Sequence, residues 1–414
     1  MGSIERIQNV AQRIAKWHQA GHQIVVVTSA MSGETNRLLG LADEINKSAI
    51  NKTVNHRELD VLAATGEQVS VALLAIALNS IGIPAISFAG WQIPILTNDI
   101  STRARISHID QKPILKELQA GRVVIITGFQ GVDENSNITT LGRGGSDTSA
   151  VAIAAVLKAE ECLIYTDVDG VYTTDPRLVE DARKLDRITF EEMLEMASLG
   201  SKVLQTRSVE FAGKYQVKTR VLSSLTDPHM PLHLEQNAGT LITLDEKEKN
   251  MEQAAISGIA FQRDEAQIAV LGVPDTPGVA ASILGPIADA SIDVDMIIQN
   301  RSVGGKTDFM FTVGKHDFES AKEILKKQDF AAHHFEILGD DQVSKISVIG
   351  VGMRSHAGVA NKMFQVLAKE RINIQTISTS EIKISVLIER KYLELAVRAL
   401  HKEFCIGNSD SLEN

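Results

Sequence analysis

The sequence predicts an α/β fold, in which a mostly parallel sheet is sandwiched by helices, followed by two small α+β modules of ferredoxin-like order. Short β-branched segments without polar alternation, typical of strands buried on both faces, alternate with helical segments and so indicate βαβ units. The last third of the chain repeats itself at a nearly constant offset. A composition of 44% hydrophobic and 23% charged residues is that of a globular protein with large cores.

Three apolar segments are predicted to be parallel strands, and each ends in threonine. They cover residues 24–28, 123–127 and 162–166, and helical periodicity covers 4–17, 38–45 and 59–78. The threonines are followed by Ser29, Gly128 and Asp167. Because ligands of open parallel sheets bind beyond the carboxyl ends of the strands, we expect one crevice at these positions, in a domain that extends to about residue 244.

A glycine-rich segment at residues 141–150 opens one of the predicted helices. Three glycines surround Arg143, and Ser146 and Asp147 follow. Glycine lets a backbone approach a ligand, a helix N-terminus favours an anion, and a guanidinium suits a carboxylate or phosphate. Asp147 suits a site that also holds Mg²⁺ or a cationic group. The alternative is an ordinary turn capped by Ser146, and these residues alone leave both interpretations open.

Acidic residues are concentrated just after the third predicted strand. Asp167, Asp169 and Asp175 are accompanied by Arg177 within segment 165–177. Carboxylates can orient Mg²⁺ or ribose hydroxyls, and the guanidinium can neutralise a phosphate. The alternative is a polar loop with Asp-Gly and Asp-Pro turns.

Other polar positions have both a functional and a structural interpretation. Glu67 interrupts an apolar helical segment, so it either faces solvent or points into a site. Ser29 suits a phosphate or carboxylate, or precedes a helix cap. Lys202 is typical of a solvated lysine. Thr189 and Glu192 match a capping box, which we predict to be structural.

The C-terminal repeat pairs three segments: 268–273 with 346–351, 278–280 with 358–360, and 292–297 with 372–377. The offset is 78 for the first pair and 80 for the other two. Each unit has the predicted order strand, glycine turn, helix, strand, strand, helix. The charged segment 245–250 is the best linker candidate. The predicted domains are residues 1–245, 246–338 and 339–414.

Composition disfavours several classes of protein. A net charge of −10 argues against a nucleic-acid partner, and the His and Cys residues form no recognisable metal-ligand pattern. Two cysteines, Cys162 and Cys405, fit a reducing compartment. The longest apolar stretch, residues 69–78, is too short to span a bilayer, and no secretion signal is recognised. We therefore expect a cytoplasmic protein.

Taken together, these segments resemble the aspartate kinases of the amino-acid kinase superfamily, specifically the lysine/threonine-responsive bacterial type, over essentially the whole chain. The matching motifs are Val-Thr-Ser-Ala-Met-Ser-Gly at 27–33, Thr-Gly-Glu at 65–67, Gly-Phe-Gln-Gly at 128–131, Gly-Arg-Gly-Gly-Ser-Asp-Thr at 142–148 and Tyr-Thr-Asp-Val-Asp-Gly-Val-Tyr at 165–172. The C-terminal modules resemble ACT domains, with Ser-Thr-Ser-Glu-Ile-Lys-Ile at 378–384.

The resemblance implies phosphorylation of the L-aspartate side-chain carboxylate by ATP with Mg²⁺. The product would be 4-phospho-L-aspartate, at the first step of lysine, threonine and methionine biosynthesis. The implied aspartate-binding residues are Ser29, Glu67, Arg143, Gly144 and Ser146. The implied nucleotide-binding residues are Thr166, Asp167, Tyr172, Asp175, Arg177 and Lys202. The implied catalytic residues are Asp147, Arg143 and Lys202.

The resemblance also implies feedback inhibition by lysine, threonine or both, bound where ACT modules pair across a subunit interface. The positions that we expect to contact an effector are Asp275, Gly278, Val279, Gln299, Ser378 and Thr379. We therefore expect a homo-oligomer, or association with a regulatory chain of the same C-terminal sequence. The identity of the main effector, and whether one module exchanges a strand with the other, stay open.

One departure from the family pattern concerns the start of the sequence. The resemblance implies a preceding strand that ends Lys-Phe-Gly-Gly-Thr-Ser-Val, and Met1 stands where that valine belongs. A start placed too late and a non-catalytic variant both explain this, so we expect activity to depend on that segment. The alternative functions are a regulatory amino-acid-binding subunit and a kinase for another amino acid, such as glutamate.

Overall fold

The structure, a computed structural model, describes residues 1–47, 55–199, 203–244, 255–299, 304–327, 336–351, 353 and 357–404. The chain divides into two compact units. The N-terminal unit comprises Met1–Val171, Lys184–Ala197 and Lys202–Lys247, and the C-terminal unit comprises Tyr172–Arg183, Ser198–Ser201 and Glu248–Asn414. Residues 172–183, which the sequence placed within the first domain, therefore belong to the C-terminal unit.

The N-terminal unit contains both strands and helices, and helices separate the three predicted parallel strands in the chain. Its helices are α1 (Ile4–Gln19), α2 (Glu34–Lys47), α3 (His56–Ser80), α4 (Lys112–Gln119), α5 (Gly145–Leu157), α6 (Phe190–Ser198), α7 (Thr206–Tyr215) and α8 (Leu232–Gln236). Its strands are β1 (Val25–Thr28), β2 (Ala85–Phe88), β3 (Ile95–Thr97), β4 (Ile106–Ile109), β5 (Val123–Thr127), β6 (Gln130–Val132), β7 (Ile138–Thr140), β8 (Cys162–Thr166), β9 (Arg187–Thr189), β10 (Thr219–Ser223) and β11 (Thr240–Thr243).

Strand pairing in this unit is mostly parallel around the three predicted strands. The sheet β1-β5-β2 is wholly parallel, and β8 pairs in parallel with β10 in the sheet β8-β10-β11-β9. A smaller sheet, β4-β3-β6-β7, contains the antiparallel pairs β3–β4 and β6–β7. The expected α/β fold class is confirmed.

The apolar patterns explain how helices cover the sheet. Every residue of β5 is buried, as expected for a central parallel strand. Helix α1 places Ile7, Ala11 and Ile14 on one face, and they pack with residues of α3 and β5. The predicted capping box begins α6: the Glu192 carboxylate accepts from Thr189 N at 3.1 Å, and the Thr189 hydroxyl accepts from Glu192 N at 3.2 Å.

Helix α3 is longer than the apolar stretch at 69–78 suggested. Its 25 residues are long and apolar enough to cross a membrane, by length and composition only. Half of its most apolar window is buried inside the unit, as in core helices of water-soluble folds. The helix is therefore weak evidence for a membrane span. In this unit it packs on the sheet.

The C-terminal unit contains the two predicted repeats in the predicted order of elements. The first has β12 (Ala255–Pro274), α9 (Val279–Asp289), β13 (Val294–Gln299), β14 (Lys306–Gly314) and α10 (Phe318–Lys327). The second has β15 (Glu336–Val351), α11 (Ala357–Lys369), β16 (Thr376–Thr379), β17 (Lys383–Glu389) and α12 (Leu393–Glu403). The strands form one sheet of order β13-β14-β12-β15-β17-β16.

The two long strands of this sheet belong to both modules. The second half of β12 pairs with the first half of β15, as in Ile268 with Gly339, beside β14. The first half of β12 pairs with the second half of β15, as in Ile259 with Val348, beside β17. The first module is therefore continuous in sequence from the second half of β12 to the first half of β15, and it extends past the division predicted at residue 338. The second module takes its fourth strand from the first half of β12, which precedes the first module in the chain. The modules are interleaved.

Segment 172–183 is attached to this sheet by polar and apolar contacts. Ile259 N donates to the Thr173 carbonyl at 2.7 Å, and the Thr173 hydroxyl lies 3.0 Å from His401 Nε2. Val179 joins the hydrophobic core that includes Val348 and Leu367. These contacts give the physical reason why the segment clusters with the C-terminal unit.

Candidate functional site

The carboxyl ends of β1 and β5 lie side by side in the N-terminal unit. Thr28 and Thr127 are partners in register, and Gly128 N donates to the Thr28 carbonyl at 3.0 Å. Both threonine hydroxyls are buried without a hydrogen-bond partner among the described residues. Since a buried polar group normally has a partner, these hydroxyls are available to a ligand or to water at this edge.

The glycine turn is placed directly against this edge. Gly144, with φ +69°, is the residue before α5, and no side chain caps the helix. The interpretation in which Ser146 caps an ordinary turn is therefore not supported. Instead, Ser146 lies against Gly128, where an added Cβ would come within 2.9 Å of the Ser146 hydroxyl. The start of α5 thus faces the end of β5, as expected for an anion-binding helix N-terminus.

Two charged residues of the turn differ in environment. Arg143 is exposed, so its guanidinium is free to move toward a ligand. Asp147 is partly buried, and this burial raises the pKa of its carboxyl to about 6, although the backbone N–H of Gln205 donates to it. A nearby cation would favour the charged form of Asp147.

Glu67 points into the unit and reaches the end of β1. Its Oε1 accepts from Ala30 N at 3.0 Å, and its Oε2 is buried with no hydrogen-bond partner among the described residues. Burial raises the pKa of Glu67 to about 7. Because Glu67 is 3% exposed, the interpretation in which it faces solvent is wrong, and its role in a site stays a prediction. Ser29, the neighbour of Ala30, is exposed at the same strand end.

Two supporting residues, Arg207 and Asp60, were not predicted from the sequence. Arg207 of α7 donates to the Leu141 carbonyl at 2.6 Å and to the Ala104 carbonyl at 3.1 Å, which holds the glycine turn. Asp60 of α3 accepts from Thr102 N at 2.9 Å, and so holds the neighbouring loop. A charge in an apolar helical segment is the signal that could have singled out Asp60.

The predicted nucleotide-binding residues are divided between the two units. In the N-terminal unit, Thr166 ends β8, its carbonyl accepts from Ser224 N at 2.7 Å, and its hydroxyl lies 3.2 Å from Asp167 Oδ1. Asp167 is exposed, and Asp169 forms an exposed ion pair with Lys184 at 3.5 Å.

Tyr172, Asp175 and Arg177 lie in the C-terminal unit. Arg177 and Asp175 are paired at 2.7 Å, and the Arg177 guanidinium lowers the pKa of the Asp175 carboxyl. Lys202 lies outside the described residues. The structure therefore brings together Ser29, Glu67, the glycine turn and Asp147, and it leaves the position of these other residues relative to them as a prediction.

The predicted effector residues lie at helix starts and strand ends of the C-terminal unit. Asp275 N donates to the Gly305 carbonyl at 3.1 Å, and Gly278, with φ +96°, precedes α9 at Val279. Gln299 ends β13, one edge strand of the sheet.

Ser378 and Thr379 end β16, the other edge strand, so sheet order separates them from Gln299. The sheet is curled, because the Thr376 hydroxyl of β16 lies 3.3 Å from the Met310 sulfur of β14. The structure therefore leaves a shared effector site for these positions as a prediction.

Comparisons with known proteins match both parts of the chain. The amino acid kinase family model matches residues 1–223, and two ACT domain models match residues 267–330 and 346–404. An aspartokinase from Pseudomonas aeruginosa is 60% identical over 404 residues, which is 98% of this chain and 95% of that protein.

Solved structures show the same fold. Aspartokinase III from E. coli in complex with aspartate and ADP has a TM-score of 0.76 at 24% identity and covers 97% of this chain and 96% of that chain. The same enzyme in complex with lysine and aspartate has a TM-score of 0.69 at 25% identity, and the match covers 95% of each chain.

Proposed function

Since this chain belongs to the aspartokinases of the amino acid kinase family, we propose from its geometry how it transfers a phosphoryl group from ATP to the side-chain carboxylate of L-aspartate. An aspartate side-chain oxygen attacks the γ-phosphorus in line, a new P–O bond forms, and the bond to the bridging oxygen of the leaving ADP breaks. This chemistry needs positioning and charge neutralisation rather than a covalent protein intermediate.

The aspartate site that we propose lies between β1, β5 and the start of α5. Arg143 would bind the α-carboxylate, and Gly144 and Ser146 would line the same pocket. Glu67 would accept a hydrogen bond from the α-ammonium group through Oε2, which is buried with no partner among the described residues. The ammonium cation would also favour the charged form of this carboxylate. Ser29 would lie near the transferred group. The meeting of Glu67, the β1 end and the glycine turn is the observation that supports this placement.

The nucleotide would bind next to the end of β8. Thr166, Asp167, Tyr172, Asp175, Arg177 and Lys202 would contact it, with Lys202 at its phosphates. Asp147 would orient the reacting groups from the start of α5. This arrangement is supported by the position of Thr166 at the carboxyl end of a parallel strand.

Mg²⁺ fits this site as an ion that arrives with the nucleotide. The described residues contain no group of three His, Cys, Asp or Glu side chains that could hold a metal. Mg²⁺ keeps several waters and needs only one or two protein carboxylates besides phosphates, which Asp147 and Asp167 could provide. When bound, it would neutralise charge on the phosphate oxygens.

Feedback inhibition is the second part of the proposal. Lysine, threonine or both would bind at the ACT modules of a homo-oligomer, and would inhibit by favouring an inactive arrangement. The E. coli relative that was solved in complex with lysine and aspartate supports an amino-acid effector of this kind. We also propose a cytoplasmic location, which the buried free thiol of Cys162 supports.

The test is an assay of ADP release coupled to trapping of the acyl phosphate by hydroxylamine. It is run with aspartate and with glutamate, on this chain and on a chain in which the family's strand is restored so that its last residues, Lys-Phe-Gly-Gly-Thr-Ser-Val, end at position 1. Aspartyl hydroxamate from either form supports the proposal. Turnover of glutamate in preference to aspartate, or no turnover in both forms, overturns it.

A further inference from the structure

A buried polar cluster contacts the end of β8 and contains none of the residues assigned above to a substrate. Glu235 of α8 is 2% exposed and forms ion pairs with Arg13 and Lys16 of α1, the latter at 2.5 Å. The Tyr165 hydroxyl donates to Glu235 Oε1 at 2.8 Å. Arg13 itself is 6% exposed, so this cluster is built into the unit rather than onto its surface.

The cluster holds two adjacent strand ends. Tyr165 is the residue before Thr166 in β8, and the Arg13 guanidinium lies 4.9 Å from the centre of its ring. The same guanidinium donates to the Thr226 carbonyl at 2.8 Å and to its hydroxyl at 3.0 Å, just after β10 ends. Ser224 N in turn donates to the Thr166 carbonyl.

The charges of the cluster are matched. Burial by itself would raise the pKa of Glu235, but hydrogen bonds from Lys16, Tyr165 and Arg13 outweigh it and lower that pKa. Glu235 is therefore a carboxylate at neutral pH. Because removing one partner would leave an uncompensated buried charge, the geometry of the remaining groups would change with it.

We propose that Arg13 and Glu235 are positioning residues for the nucleotide, because they fix the ends of β8 and β10. Neither is among the residues assigned above to a substrate, and both act through Tyr165 and the turn at Thr226. This inference rests on the proposed function, which places ATP beside Thr166 and Asp167. Thr166 and Asp167 can bind the nucleotide productively only within a narrow range of positions, and rigid packing of the two strand ends keeps them there.

The experiment compares Tyr165→Phe, Glu235→Gln and the milder Thr226→Val with the parent chain. The dissociation constant of ATP is measured by titration calorimetry, and the KM for each substrate is measured where turnover permits. We expect ATP binding to weaken about three- to tenfold in Tyr165→Phe and more in Glu235→Gln, with the KM for aspartate unchanged. Tyr215→Phe, at an exposed position, and Glu117→Gln, in the half-buried ion pair with Arg122, are matched controls in the same unit, and both should bind ATP like the parent chain.

A merely structural role has a different signature. It would lower the melting temperature and the fraction of active protein, but ATP affinity of the folded fraction would equal that of the controls. That result in both Tyr165→Phe and Thr226→Val overturns the inference. The variant Asp167→Asn distinguishes failure of the proposed nucleotide site from failure of the positioning role. If Asp167→Asn leaves ATP affinity unchanged, the nucleotide placement is wrong. If Asp167→Asn alone weakens ATP binding, the positioning role is wrong.

Discussion

The side chain of Gln205 occupies the space beside Gly144 where any larger residue would place its Cβ. A Cβ built at Gly144 would lie 1.6 Å from Gln205 Cγ and 2.6 Å from Gln205 Cβ. The backbone N–H of Gln205 also donates to the Asp147 carboxylate. The start of α7 and the start of α5 are therefore fitted to each other, and a change at Gly144 would be transmitted to Asp147.

Gly144→Ala is expected to reduce kcat/KM for aspartate by at least about 100-fold. The left-handed backbone costs an alanine roughly 1–2 kcal/mol, and the clash displaces Gln205 and the turn. The double variant Gly144→Ala/Gln205→Gly should recover part of the loss, because it removes the clash. Gly121→Ala is the control: Gly121 has φ +73° with open space around it, so it carries strain without a clash. Parent kinetics in Gly144→Ala would contradict the proposed fit.

The pKa of Glu67 predicts a pH-dependent affinity for aspartate. With a pKa of about 7 in the free protein, Glu67 is mostly neutral at pH 6 and mostly charged at pH 8. If the charged form binds the substrate ammonium, the Kd of aspartate should fall about tenfold per pH unit below 7 and level off above it. Binding titrations between pH 5.5 and about 8.5 check this dependence. A pH-independent Kd in the parent, or the parent profile retained in Glu67→Gln, would exclude the role.

The same carboxyl affects stability with a definite sign. Its folded pKa of about 7 lies above the ordinary value of 4.5, so the folded state binds an extra proton between these two pH values. The contribution of Glu67 to the free energy of unfolding is fully present below pH 4.5 and is lost as the pH rises through 7. Above pH 7, the free energy of unfolding of Glu67→Gln should therefore exceed that of the parent by on the order of 2–3 kcal/mol. Glu58→Gln, an exposed position on the same helix, should show no such effect in urea titrations.

A buried ion pair at the crossing of the two modules should matter for the C-terminal unit. Lys345 of β15 and Glu265 of β12 are each 2% exposed and 3.8 Å apart, and Lys345 also contacts Asp295 of β13. Lys345→Met leaves Glu265 buried without its cation, which costs about 3–5 kcal/mol, and adding Glu265→Gln should recover much of this. Urea unfolding of the full chain, followed by a probe in the C-terminal unit, measures both. Additive losses in the double variant would show that the pair is not coupled.

The central strands could be predicted because their patterns are local. The segments 123–127 and 162–166 match β5 and β8 residue for residue, since fully apolar β-branched runs between turn signals leave little choice of structure. The motifs likewise located the glycine turn. Whether Glu67 faced solvent or a site depended on Ala30, which lies 37 residues away in sequence, and helical periodicity cannot give that contact.

Other features depend on long-range pairing that a single sequence does not encode locally. The repeat predicted both modules, but an apolar strand pattern does not say which partner it joins, so the pairing of β12 with β15 along both halves could not be derived. The Arg13–Glu235 pair joins residues 222 positions apart. Gln205 carries no chemical signature, because its role comes from the space that its side chain occupies beside a glycine.

The edge strands of the C-terminal sheet give the last prediction. Gln299 and Thr379 end β13 and β16 at positions related by the 80-residue repeat offset, so each would contribute the same contact to one of two related effector sites. Gln299→Ala and Thr379→Ala should each raise the half-inhibitory concentration of the effector about tenfold, since allosteric coupling is typically about 1–3 kcal/mol. Inhibition curves with lysine, threonine and their mixture measure this and identify the effector. Gln375→Ala, an exposed position just before β16, should keep the parent curve. If both single variants keep it as well, these strand ends do not bind the effector, because loss of either contact must weaken a site that uses it.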